Sequence, residues 1–215
     1  MVFIRTKRIK KAQYAYLVEN VWTSKGSRQK IKSYLGRIIE LKYKDENDEY
    51  ELEESGEEKE LIKEDKVSDN IKEDEVKEKK TEFERYIGIN LKEFIKDNDI
   101  EEIVRKMVEY ETVKAGFEKS QEEKNVMMWG NIFINLKTFK TYVKRKHGSV
   151  GDVVLKSHEG FICKESVKEL LKYNPMGEDE REDAIMLAKL FVEAGLKVEK
   201  EIFIEVFAKV VKKGR

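Results

Sequence analysis

The chain has 215 residues, 40% hydrophobic and 41% charged, with Lys and Arg balancing Asp and Glu to a formal net charge of zero. That hydrophobic share supports a packed core over part of the chain only, and no apolar run approaches the roughly 18 residues of a membrane span. A single cysteine, Cys163, excludes an intramolecular disulfide and a cysteine-built zinc cluster.

The neutral total conceals a strong segregation. Residues 1–43 carry eleven Lys or Arg against only Glu19 and Glu40, whereas residues 44–82 carry eighteen acids against eight bases. A basic face that attracts phosphate is thus followed by a stretch that phosphate repels. The basic start lacks the apolar run of a signal peptide, so a cytoplasmic location is expected. Plentiful Lys and Glu with one Pro and three Gln give a thermophile-like composition.

Three segments of the basic module read as strands: Val2 to Lys7, Gln13 to Trp22, and Arg28 to Leu35 after a turn containing Gly26. Short connections make an antiparallel meander the simplest arrangement. Alternation along the second strand sends Ala15, Leu17 and Val21 one way and Tyr14, Tyr16 and Trp22 the other. In the third strand Ile31 and Leu35 alternate with Arg28, Lys30, Lys32 and Tyr34, and Arg5 and Lys7 can join this basic, aromatic face.

Cations neutralise backbone phosphates while exposed rings stack on bases or pack on sugars. The sequence therefore nominates Arg5, Lys7, Tyr14, Tyr16, Trp22, Arg28, Lys30, Lys32 and Tyr34 as a nucleic-acid-binding set. The opposite sorting, with rings in the core and cations merely solubilising an edge, stays open, because a one-residue slip exchanges the faces.

Tyr16-Leu17-Val18-Glu19, Gly26 with Arg28-Gln29-Lys30, and Tyr34-Leu35-Gly36 form three short blocks. Together with Tyr14 and the Ile4-Arg5 pair, this segment resembles the N-terminal region of insertion-sequence transposases of the DDE class. The resemblance covers about 40 residues and implies a DNA-facing accessory module. It does not extend to that family's catalytic core, whose carboxylates have no recognisable counterparts here.

Residues 44–82 read as a flexible, disordered acidic linker, since a few isolated apolar residues cannot offset the entropy of ordering it. Its charge suggests competition with nucleic acid for the basic module, so deleting residues 45–80 is expected to tighten binding at low salt.

Residues 83–215 read as a mostly helical domain of five to seven helices. Ile100, Ile103, Val104, Met107 and Val108 make one apolar helix face, opened by Asp99 and closed near Gly116. A shorter helix spans 90–97. Residues 131–146 fit a helix or a strand; helix is favoured, with a stop at Gly148. Its cations, from Lys137 and Lys140 to Lys144, Arg145 and Lys146, offer a second phosphate contact. Residues 149–163 fit a loop or short hairpin, and further helices are expected at 164–173, 183–195 and 199–212. The last two could form a helix-turn-helix, but Glu201 and Glu205 would repel phosphate, so an αα-hairpin is preferred.

No catalytic constellation emerges. His147 and His158 lack partners at metal-ligand spacing, and Gly148-Ser149-Val150-Gly151-Asp152 lacks the Gly-Lys-Ser/Thr ending of a phosphate loop. The expected fold class is α+β: a small three-stranded antiparallel basic sheet (1–43), the linker (44–82) and the helical domain (83–215). The expected function is nucleic-acid binding, DNA before RNA, with no cofactor and no metal. A protein-interaction scaffold, its helical domain engaging a protein partner, is the alternative, and a metal-dependent nuclease a more distant third.

Overall fold

A computed structural model describes residues 2–24, 26–43, 80–175 and 179–214. The expected flexible acidic linker and its expected competition with nucleic acid concern residues that lie outside these, apart from 80–82, where Thr81 and Glu82 instead cap and open a helix. Among the described residues no helix is long and apolar enough to cross a membrane.

The three basic strands form where expected but run longer: β1 (Val2–Ile9), β2 (Ala12–Thr23) and β3 (Gly26–Glu40). They pair antiparallel, with Arg5 opposite Tyr16 and Tyr16 opposite Tyr34. Three helices follow, α1 (Glu82–Ile87), α2 (Leu91–Asp97) and α3 (Ile100–Lys114). Their starts are capped by Thr81, Asn90 and Asp99, whose side-chain oxygens accept first-turn amide hydrogens. Then come β4 (Glu118–Lys119), β5 (Val126–Trp129), β6 (Ile132–Asn135), β7 (Lys140–Lys144), β8 (Val150–Ser157) and β9 (Gly160–Ile162). The chain closes with α4 (Lys164–Leu171), α5 (Glu180–Glu193) and α6 (Lys200–Gly214).

The α+β class holds, with six helices described in the C-terminal region, but the sheet is not three-stranded, and that region carries six strands between residues 118 and 162, between its first three helices and its last three. Nine strands join in one mixed sheet, ordered β1-β2-β3-β8-β7-β6-β5-β4 with β9 beside β8. The junction is a parallel pairing of β3 with β8, from Arg37 opposite Val153 to Glu40 opposite Lys156. Residues 131–146, expected as a helix, form the antiparallel β6–β7 hairpin. The side chain of Asn135 turns the chain by accepting the amide hydrogens of Lys137 (3.0 Å) and Thr138 (2.9 Å).

The main core lies between this sheet and the helices. Phe83, Phe94, Val104 and Val108 meet Ile134, Val153 and Leu155 from the strands and Val167, Phe191 and Val206 from the last helices. A smaller cluster of Ala15, Leu35, Ile38, Val154 and Cys163, with Ile4, Leu17 and Phe161 against it, covers the aliphatic side of the basic strands. Strands β8 and β9 thus supply the cover that a 40-residue sheet cannot provide for itself.

Candidate nucleic-acid interface

The pairing register decides which basic and aromatic residues share a side. Cross-strand partners share a face and successive residues alternate. Strand β2 pairs with β1 without interruption, so Lys7 lies beside Tyr14 and Arg5 beside Tyr16, opposite in face to Ile4, Ala15 and Leu17. Against β3 the register shifts twice: Ala15 faces Gly36 but Tyr16 faces Tyr34, and Leu17 faces Ser33 but Val18 faces Ile31. Leu35 and Lys32 are the extra residues of these two bulges.

Each bulge reverses the alternation beyond it. Tyr34 therefore joins Tyr14 and Tyr16, with ring centroids 6.2 and 5.5 Å away. Arg37 also comes to this side, opposite Tyr14. Arg28 and Lys30 pair with Val21 and Glu19 and belong to the other face. Lys32 also lies there, 3.5 Å from the Glu19 carboxylate. The nominated set is thus split: Arg5, Lys7, Tyr14, Tyr16, Tyr34 and Trp22 on one side, Arg28, Lys30 and Lys32 on the other.

The tyrosine side is open. Tyr34 is 52% and Trp22 83% exposed, while Tyr14 and Tyr16 are half-buried, each against the ring of Tyr34. Arg5 Nη1 donates to the neutral Gln29 side chain at 2.6 Å. Among the described residues, no carboxylate lies within ion-pair distance of Arg5, Lys7 or Arg37. Burial, first of all, holds the Tyr34 hydroxyl above the ordinary phenol value; Tyr14, Tyr16 and Asp152 act the same way and Arg145 opposes them. At neutral pH Tyr34 is thus a neutral hydrogen-bond donor, with no phenolate charge to repel a phosphate.

Two contributors escaped the nominated set. Arg37 could be placed only from the bulged register. Arg145, in the turn between β7 and β8, reaches the electrostatic neighbourhood of Tyr34. It lies along the backbone of Gly151, where a Cβ atom would stand 2.9 Å from Nη2. The lysine-rich stretch was the available signal for Arg145, but two of its lysines are otherwise engaged: Lys140 pairs with Asp152 at 3.4 Å and Lys144 with Glu123 at 3.2 Å.

Comparison with protein-family models, curated proteins and solved structures found no match. Among the described residues no group of three or more His, Cys, Asp or Glu could hold a metal ion.

Proposed function

We propose that this protein binds nucleic acid, DNA before RNA, through the tyrosine side of strands β1 to β3. The observation that carries this reading is the contact cluster Tyr14–Tyr16–Tyr34 framed by Arg5, Lys7 and Arg37. Rings backed by a sheet are held rigid, so little entropy is lost when a base or sugar packs on them, and the flanking cations meet phosphates on either side. The resemblance of this segment to the DNA-facing start of DDE-class transposases supports DNA as the ligand.

The test is a salt titration of binding by the full chain to duplex and single-stranded oligonucleotides. Each phosphate neutralised contributes about 0.9 to the logarithmic salt slope on duplex DNA. Replacing Arg5, Lys7 and Arg37 together by Ala is expected to lower that slope by about 3. An unchanged slope would place the phosphate contacts elsewhere. A co-purifying protein held without salt dependence, and no retained nucleic acid, would favour the scaffold reading.

A further inference from the structure

Beyond the tyrosine platform, β2 and β3 continue as an arm. Strand β1 accompanies β2 only as far as Glu19, opposite Val2, and β8 accompanies β3 only from Arg37 onward. Among the described residues no other strand pairs with the intervening stretch. From Asn20 to Tyr34 every described residue except Gly26 is exposed. From Asn20 onward the arm holds four facing pairs, the first Asn20 opposite Gln29 and the last Thr23 opposite Gly26, a length of about 14 Å at the rise of an antiparallel strand.

The arm's chemistry has two sides and one charge. From Asn20 to Ile39 the sequence contains no Asp or Glu. One face presents Asn20 beside Gln29, with Trp22 near the tip; the other presents Arg28 and Lys30. Gln29 already accepts from Arg5 through its amide oxygen, which fixes the side chain and leaves its NH2 group to donate.

A soluble core has no use for a strand pair exposed on both faces and free at both edges. The major groove of B-form DNA does: it is about 12 Å wide and admits a two-stranded β-ribbon, and Asn, Gln and Arg are the side chains whose geometry matches its base edges. We propose that the Asn20–Lys30 arm enters the major groove of duplex DNA while the tyrosine platform holds the adjoining backbone. This deepens the reading above and rests on it. The arm makes the ligand a duplex: an A-form RNA major groove is too narrow and deep for side chains to read.

The experiment uses the full chain and three probes: a DNA duplex, the same duplex with glucosylated 5-hydroxymethylcytosine filling its major groove, and the plain duplex carrying a minor-groove ligand such as netropsin. Filling the major groove is expected to weaken binding about tenfold or more, the loss of at least one bidentate base contact, whereas netropsin leaves it unchanged. The Asn20→Ala/Gln29→Ala variant, altered only at exposed positions, should bind plain duplex with that same weakened affinity and no longer respond to glucosylation. Equal affinity of the parent for plain and glucosylated duplex, with the salt slope intact, would overturn the arm and leave the platform standing. Failure to bind any of the probes, or single-stranded DNA, would overturn both.

Discussion

Gly36→Ala is expected to destabilise the protein by about 4 kcal/mol, from backbone strain and overpacking together, and to abolish the proposed nucleic-acid binding with it. Gly36 has φ of +132°, a conformation that side-chain-bearing residues rarely adopt. It also sits where β3 meets β8. A methyl group there would lie 2.5 Å from the carbonyl carbon of Asp152 and 2.7 Å from the amide nitrogen of Val153, and closer still to the Asp152 carbonyl oxygen. These are backbone atoms, so no rotamer change relieves the clash and the strands must part. The parallel pairing that begins at Arg37 is the seam between the basic strands and the rest of the sheet. Opening it uncovers Leu35, Ile38 and Val154 and moves Tyr34 away from Arg145. Gly26→Ala is the control: its φ is +100° but nothing lies within 4 Å, so only strain of about 1–2 kcal/mol is expected. Urea unfolding followed by circular dichroism separates the two. A Gly36→Ala protein as stable as Gly26→Ala would show that β3 and β8 are not in this close contact.

The same glycine marks where the sequence was legible and where it was not. Tyr-Leu-Gly was recognisable as a motif, but its physical content, an extra residue at Leu35 followed by a close strand approach at Gly36, depends on a partner strand over 100 positions away. Bulges leave no trace in composition. A simple alternation placed Arg28, Lys30 and Lys32 with Tyr34, and the one bulge that lies between, at Lys32, moved them to the opposite face. Helix α3 was readable because one side of it is buried: Ile103, Val104, Met107 and Val108 face the core. Strand β6 was not, because Ile132, Phe133 and Ile134 are all buried. With both faces covered, the period of two disappears, and the lysines that follow imitate a helix terminus. The nominated cations were chosen by type. Their grouping required the register.

Glu111→Ala is expected to cost about 3 kcal/mol, the size associated with leaving buried polar and charged groups without their partner. Glu111, on α3, is 3% exposed. One carboxylate oxygen accepts the backbone amide hydrogen of Lys197 at 3.2 Å, in the loop before α6. The other lies 3.1 Å from Nε2 of His158, in the turn between β8 and β9. A carboxylate only accepts, so Nε2 carries the hydrogen of that bond. The imidazole is stacked at 4.6 Å on the ring of Tyr43, whose hydroxyl meets Ser157 at 2.5 Å, and Ser157 donates to the Gly195 carbonyl at 2.6 Å. Burial, opposed by the hydrogen bond with Ser157 and aided by the Glu111 carboxylate, holds the Tyr43 hydroxyl well above the ordinary phenol value, so it stays a donor. One side chain thereby ties α3, the β8–β9 turn and the α5–α6 loop to the end of β3, where the basic strands give way to the acidic stretch. Glu111→Gln keeps an acceptor for Lys197 or for His158 but loses the charge, and should cost roughly half as much; Tyr43→Phe, which removes one hydroxyl, about 1 kcal/mol. The measurement is urea unfolding of the three variants. If Glu111→Ala were no less stable than Tyr43→Phe, the carboxylate would not be the centre of this network, and the end of β3 would be held by apolar packing alone.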